Sequence, residues 1–191
     1  MSAAMPLPAP GLSLSDLVVV MRLGRIEQIG TPQEIYTCPR NLYTADFMGY
    51  SNKIPVTILE KQGREWLVKT DSGANLHATS TADAASTWNV GDQVLACSRP
   101  DEMLAIEKAK AEPDLNILSG IVHLSDYVGK AFELVVRLDG NEDQQVLIHS
   151  QQPLDMERQV TFGIHPDRLL LFPPDATVKT TLREPSKAAV Q

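Results

Sequence analysis

Cysteine is nearly absent: Cys38 and Cys97 are the only two in 191 residues. They stand far apart in unlike surroundings, which excludes a CxxC redox pair and a paired-cysteine zinc knuckle and fits a reducing cytoplasm. The four histidines, His77, His123, His149 and His165, are equally scattered, with no HExxH or other ligand spacing, so no metal site is assigned. Aromatic residues make up only 5% of the chain, and 17 Lys and Arg stand against 24 Asp and Glu, a net charge of −7. That balance, without a basic stripe, disfavours nucleic acid and anionic membranes as partners. The longest apolar runs, such as Leu17–Met21 and Leu169–Phe172, fall far short of the ~20 residues that cross a bilayer. Met1–Gly11 is uncharged and proline-rich, lacks the basic start and long apolar middle of a secretion signal, and reads as part of a flexible lead-in over 1–13.

What is present is punctuation and short apolar periods. Eleven glycines and 13 prolines predict many turns and few long helices. From Leu14 to Gly30 a β-branched run, a reversal at Gly24 and an Ile26/Ile29 alternation predict a hairpin. Thr31-Pro32-Gln33-Glu34 has the order of a capping box and predicts a short helix to about Thr37, stopped by Pro39. Asn41 then caps a second short helix, with Leu42, Ala45 and Phe47 on its apolar side and Gly49 at its end. The block over 14–50 is too small to bury its own faces. It reads as the tail of a larger domain, with Leu17, Val19, Ile29 and Phe47 left as a sticky surface.

From Ser51 the period changes to two. Ten strand candidates follow, Ile54–Glu60, Trp66–Thr70, Asn75–Ala78, Gln93–Cys97, Met103–Ile106, Gly120–Leu124, Phe132–Leu138, Gln145–Ile148, Val160–Ile164 and Leu169–Phe172, and turn residues separate them. This predicts a mainly β barrel or sandwich, with Pro55 marking an edge strand or a strand start. Gln93-Val94, Arg99-Pro100-Asp101 and Leu104 recur 66 residues later as Gln159-Val160, His165-Pro166-Asp167 and Leu170. Asn52-Lys53-Ile54 and Asn116-Ile117-Leu118 open the two halves similarly. The β region over 51–173 is therefore a doubled unit, about 52–106 and 116–172, joined near Glu107–Leu115 and predicted to close its two strand sets on each other. Residues 174–191 read as a flexible tail.

Chemistry is hard to find. A phosphate loop needs G-x-x-x-x-G-K-[ST], and Gly129-Lys130 fails it, with Leu124 and Ala131 at the required positions. No G-x-S-x-G elbow occurs, and no spacing selects one carboxylate pair among 24 acids. The recurring turns have two readings. In one they are structural, proline setting the dihedral and aspartate binding nearby N–H groups. In the other, Arg99, Asp101, Glu102, His165, Asp167 and Arg168 form a surface for an effector or partner. His123 and His149 read as structural strand residues. Trp66 and Trp88 read as packing residues, with an exposed platform as the alternative.

Residues 13 to about 172 resemble the end of the ATP-binding subunit of ATP-binding-cassette (ABC) importers of the polyamine, iron, maltose and glycerol-phosphate type. The residues that carry this are Leu14-Ser15-Asp16, Val18-Val19-Val20-Met21, Gly24-Arg25-Ile26-Glu27-Gln28-Ile29-Gly30-Thr31-Pro32-Gln33-Glu34-Ile35-Tyr36, Pro39 and Ala45-Asp46-Phe47-Met48-Gly49. The doubled β unit resembles the transport-associated OB (TOBE) domain that follows the ATPase core, a duplicated OB-like fold. The resemblance implies a remnant of the ATPase domain over 14–50 and a regulatory and dimerisation domain behind it. The phosphate loop, acidic strand end, signature loop and switch histidine of the family have no counterpart here, and Leu118-Ser119-Gly120 lies in the β repeat. The expectation is no ATP hydrolysis by this chain alone, with ATP and magnesium belonging to the full-length family. Implied partners are a second copy, an ATPase subunit, a membrane permease at the inner face of the membrane and a small effector. The competing reading is a freestanding oxyanion-binding module of the molybdate type, using Gly129-Lys130 and the Ser/Thr-rich Ala78–Thr87 loop.

Overall fold

The computed structural model describes residues 15–105 and 114–178. The predicted lead-in, most of the predicted joint and the last 13 residues lie outside the described residues. The chain opens with a hairpin of β1 (Val18–Arg22) and β2 (Arg25–Gly30). Leu23 and Gly24 turn it with φ of 48° and 79°. Two successive left-handed dihedrals are what a two-residue reversal needs to follow the twist of its strands. Helix α1 (Pro32–Thr37) starts on a full capping box: Glu34 N donates to Thr31 Oγ1 at 3.3 Å, and Thr31 N donates to Glu34 Oε2 at 2.8 Å. Those Thr31 donors, the backbone N–H first, hold the Glu34 carboxyl below its ordinary range. Helix α2 (Leu42–Phe47) starts on Asn41, whose Oδ1 accepts from Thr44 N at 2.8 Å.

The rest is β structure. A closed barrel contains β3 (Asn52–Gln62), β4 (Glu65–Thr70), β5 (Asn75–Thr79), β6 (Gln93–Ser98) and β12 (Leu170–Phe172). A five-stranded sheet runs in the order β10 (Asn141–Ser150), β9 (Phe132–Leu138), β8 (Asn116–Tyr127), β11 (Gln159–Ile164) and β7 (Leu104–Ala105). The two repeats thus exchange their last strands: β7 pairs with β11 of the second repeat, while β12 pairs with β5 and β6 of the first. One core spans both, with Ile54, Val56, Ile58 and Val68 meeting Leu118, Val122, Leu134 and Phe162.

Matching devices recur in the two repeats. The register of β3 with β4 slips at Leu59, and that of β8 with β9 slips at His123, the same position in each repeat. Such bulges coil a strand so that its sheet can curve. Asn52 and Asn116 are both buried, and each amide spans one residue of the other repeat. Asn52 Nδ2 donates to Leu147 O at 2.8 Å and Leu147 N donates to Asn52 Oδ1 at 2.6 Å. Asn116 Nδ2 donates to His77 O at 2.7 Å and His77 N donates to Asn116 Oδ1 at 2.7 Å. Each side chain supplies the rung that a neighbouring strand would otherwise provide. Gly120 has a separate necessity: a Cβ there would lie 2.1 Å from the carbonyl oxygen of Arg137.

The repeats differ where the hairpin and helices dock. Val20, Ile35, Leu42, Ala45 and Met48 pack on Leu95, Cys97, Leu170 and Phe172, the outer side of β6 and β12. The positions on β11 that match Leu95 and Cys97 are Thr161 and Gly163, which offer little apolar area to a second such unit.

Two expectations change. Strand β3 is flanked by β4 and β6 and is not an edge; Pro55 is tolerated because it pairs with Leu95 on β6 before the β4 register begins at Val56. Residues 174–178 are anchored: Arg22 NH1 meets Asp175 Oδ2 at 2.7 Å and Val178 is buried in the smaller apolar cluster.

Candidate functional site

The duplicated turns become two single 3-10 turns, Pro100–Glu102 and Pro166–Arg168, and they meet. Glu102 Oε1 lies 3.0 Å from Arg99 NH1 and 3.5 Å from Arg168 NH1, joining the first turn to the second. Arg168 is half exposed and also faces Asp167 at 3.6 Å. His165, half-buried, opens the second turn, and its carbonyl accepts from Arg168 N at 2.9 Å. Asp101 is exposed, and its charge reaches His149 on β10.

Arg99 corrects the surface reading, because its side chain is 4% exposed. Nε donates to Met48 O at 3.0 Å, a second nitrogen donates to Tyr36 O, and the guanidinium lies 3.7 Å from the Tyr36 ring centroid and 4.0 Å from that of Tyr50. Burial is possible because Glu102 balances the charge and carbonyls take the remaining donors. In the structural reading aspartate was to bind the turn; here Glu102 does so, accepting from Arg99 N at 3.5 Å. The sequence reading missed Tyr36, Tyr50 and the paired asparagines. Asn52 and Asn116 stood at matching strand starts, and that repetition was the signal available for them.

A second surface is apolar. Leu17, Val19, Met21, Leu23, Ile26, Ile29 and Phe47 are exposed. Val19 lies opposite Ile29 and Met21 opposite Ile26, so the outer face of the hairpin presents a continuous apolar strip. Among the described residues this strip is uncovered, as the sequence predicts for Leu17, Val19 and Ile29, with Met21 and Ile26 enlarging it, while Phe47 is exposed on α2.

Of the remaining candidates Lys130 is exposed in the β8–β9 turn, and most of the others are occupied structurally. Ser80 Oγ donates to Leu171 O at 2.8 Å and Thr81 Oγ1 to Pro39 O, so these hydroxyls of the Ala78–Thr87 loop are committed to carbonyls. A shallow, open depression lies between the repeats, lined by Ile54, Pro55, Thr70, Asp71, Ser72, Leu138, Asn141 and Gln144. It has one carboxylate and no cation, the wrong sign for an oxyanion. His123 lies in the β8 bulge with Nδ1 3.0 Å from Arg137 NH2. His149 Nε2 is 3.5 Å from Glu133 Oε2, and that hydrogen bond pushes its pKa up. Trp66 is buried, with Trp88 edge-on at 5.5 Å, so the pair forms packing rather than an open platform. Among the described residues no three His, Cys, Asp or Glu side chains converge to hold a metal ion, and no helix is long and apolar enough to cross a membrane.

Residues 99–172 match the family model for the TOBE domain. The match opens at the buried Arg99 and closes on the last barrel strand. Over 133 residues the chain is 35% identical to the spermidine/putrescine import ATP-binding protein PotA of Oleidesulfovibrio alaskensis, covering 70% of this chain and 34% of that protein. The protein of the same name from Salmonella typhimurium is 32% identical over 133 residues, with 69% and 33% covered. The chain spans about a third of the length of the curated relatives it matches. In three dimensions it resembles the cytoplasmic molybdate-binding protein ModG, crystallised with molybdate bound: TM-score 0.53, 18% identity, 64% of this chain and 96% of that one. At that identity the likeness concerns the fold.

Proposed function

We propose a regulatory, non-catalytic role on the cytoplasmic side of an ABC importer, supported by the match of residues 99–172 to the TOBE domain and by 35% identity over 133 residues to an import ATP-binding protein. In this reading residues 14–50 are the end of an ATPase domain, 51–173 are the regulatory domain, and two copies pair to hold motor halves together near a permease. A twofold contact of this kind needs about 1,000 Å² or more of buried area to be stable. ATP and magnesium enter only with an ATP-binding partner, because no phosphate loop can be written in these 191 residues.

The observation that carries the proposal is the apolar strip on the outer face of β1 and β2. One face of this small unit packs on the β domain, and the other is built like an interior surface that none of the described residues covers. Monomeric proteins rarely leave such contiguous area in water. The strip fits a larger ATP-binding body. The purified chain is expected to release no phosphate from ATP and to capture an importer ATP-binding subunit from which the matching third has been removed. The double variant Val19→Asp, Ile29→Asp changes two exposed side chains and should abolish capture. Turnover by the chain alone would overturn the non-catalytic assignment, and undiminished capture by the variant would overturn the assignment of the face.

A second reading, a freestanding oxyanion or small-ligand module, draws on the fold shared with ModG. The depression without cations and the committed hydroxyls weigh against it. Its test is thermal stability with molybdate, sulfate, phosphate, polyamine or sugar, since a ligand at 100 times its Kd adds about 2.7 kcal/mol. No shift with any of them removes this reading.

A further inference from the structure

We propose that the first repeat's turn is a coupling clasp: Arg99 fastens the hairpin and helices to the β domain, and Glu102 extends that fastening to the second repeat, so that all three move as one body. This rests on side-chain geometry and holds whether or not the chain serves an importer.

The last turns of α1 and α2 carry no basic residue of their own. Helix ends leave carbonyls without partners and a partial negative charge, which a cation relieves. Arg99 supplies that cation from the β domain to both ends at once, reaching Tyr36 O and Met48 O while Tyr36 and Tyr50 sandwich its plane. The arrangement exploits the fixed fork and flat face of a guanidinium, which lysine lacks. Glu102 closes the remaining side of Arg99 and faces Arg168 of the second repeat. A second fastening lies beside it, where the buried Lys53 Nζ meets Asp46 Oδ1 at 2.6 Å and ties α2 to β3.

The segment that these contacts bridge has the sequence of a hinge. Met48-Gly49-Tyr50-Ser51 follows a helix end, and Gly49 has φ of 91°. Rotation there would pull the Arg99 guanidinium off two carbonyls and two rings, forfeiting charge-assisted hydrogen bonds and both ring contacts and leaving only its pair with Glu102. The clasp therefore removes a joint that the local sequence invites. A partner gripping the apolar strip and another gripping the β domain would act on one lever.

Distance measurements between two spin labels test this in the full chain. One label goes on the exposed native Cys38 beside α1, the other on Lys130→Cys in the β8–β9 turn, while Cys97 stays buried. The parent should give one narrow distance distribution. Arg99→Met, similar in length but without charge or fork, should lose that single narrow peak and gain a second population, with Trp66 and Trp88 fluorescence native. A peak as narrow as the parent's in that variant overturns the proposal, since apolar packing alone would then hold the unit. Should Arg99→Met fail to fold, Glu102→Gln and Arg168→Ala, which leave the stacked guanidinium in place, decide it. Broadening in either supports the clasp, and unchanged width in both overturns it.

Discussion

Replacing Asn52 by alanine should unfold this protein far more readily than its single side chain suggests. The amide makes two hydrogen bonds to one residue, at 2.8 Å to Leu147 O and 2.6 Å from Leu147 N. Nδ2 also lies 3.3 Å from Ser98 Oγ. Truncation leaves the Leu147 N–H and C=O without partners at the uncovered side of β10, where Asn52 itself is fully buried. A hydrogen bond contributes about 1 kcal/mol net, and a buried group left unsatisfied costs about 1–3 kcal/mol, so two such groups put the loss at about 3 kcal/mol. That is a large share of a domain stability of about 5–15 kcal/mol. Asn116→Ala removes the equivalent pair of 2.7 Å bonds to His77. Its loss should be smaller, because His77 lies at an exposed position from which water can reach the freed groups. Aspartate at position 52 should be worse than alanine, since a carboxylate oxygen replaces the donor facing Leu147 O. Urea unfolding followed by tryptophan fluorescence and circular dichroism reads all of these, the m value guarding against a change in the unfolded state. A loss below about 0.5 kcal/mol for Asn52→Ala, with m unchanged, would refute the reasoning: such a value is typical of surface substitutions, not of a buried bridge.

Two further outcomes follow from the titrating groups. The hydrogen bond that His149 Nε2 donates to the Glu133 carboxylate, helped by the charges of Glu133 and Asp101, raises the His149 pKa above its ordinary 6.5. Its stabilisation is thus fully present below the unfolded value near 6.5 and is lost as pH rises through the folded value. Thermal melts from pH 5 to 9 should show this decline in the parent and not in His149→Gln, and parallel profiles would refute it. Burial pushes the Cys97 thiol up to about 12, while Cys38 is exposed. Iodoacetamide at pH 8 should therefore modify one thiol in the folded chain and two in denaturant, and rapid modification of both in the folded chain would contradict the packing around β6.

Much of the architecture was legible because its causes are local. Thr31 and Glu34 are three residues apart, so a capping box can be read wherever they fall, and Asn41 before Leu42 works the same way. The alternation in Phe132–Leu138 marks a strand because one face must be buried whatever lies beyond it. The 66-residue recurrence also reads directly, and it predicts the matching strands and turns. The turn residues themselves divided. Glu102 and Arg168 meet, while Arg99 leaves the surface altogether, and no property of Arg-Pro-Asp distinguishes those fates.

What the amino-acid order determined by itself, then, was the kind of each strand and of the two helices, the helix caps, the doubling of the β unit and an apolar hairpin face left over. Tertiary structure alone decided that β7 and β12 change places, that Asn52 and Asn116 span the two repeats, and that Arg99 ends beneath two helices. Those outcomes join residues tens of positions apart. Caps and periods are set by neighbours a turn or a pleat away, whereas long-range partners depend on the register in which whole strands settle. That register is chosen by burying one shared core, so no short stretch of the chain contains it.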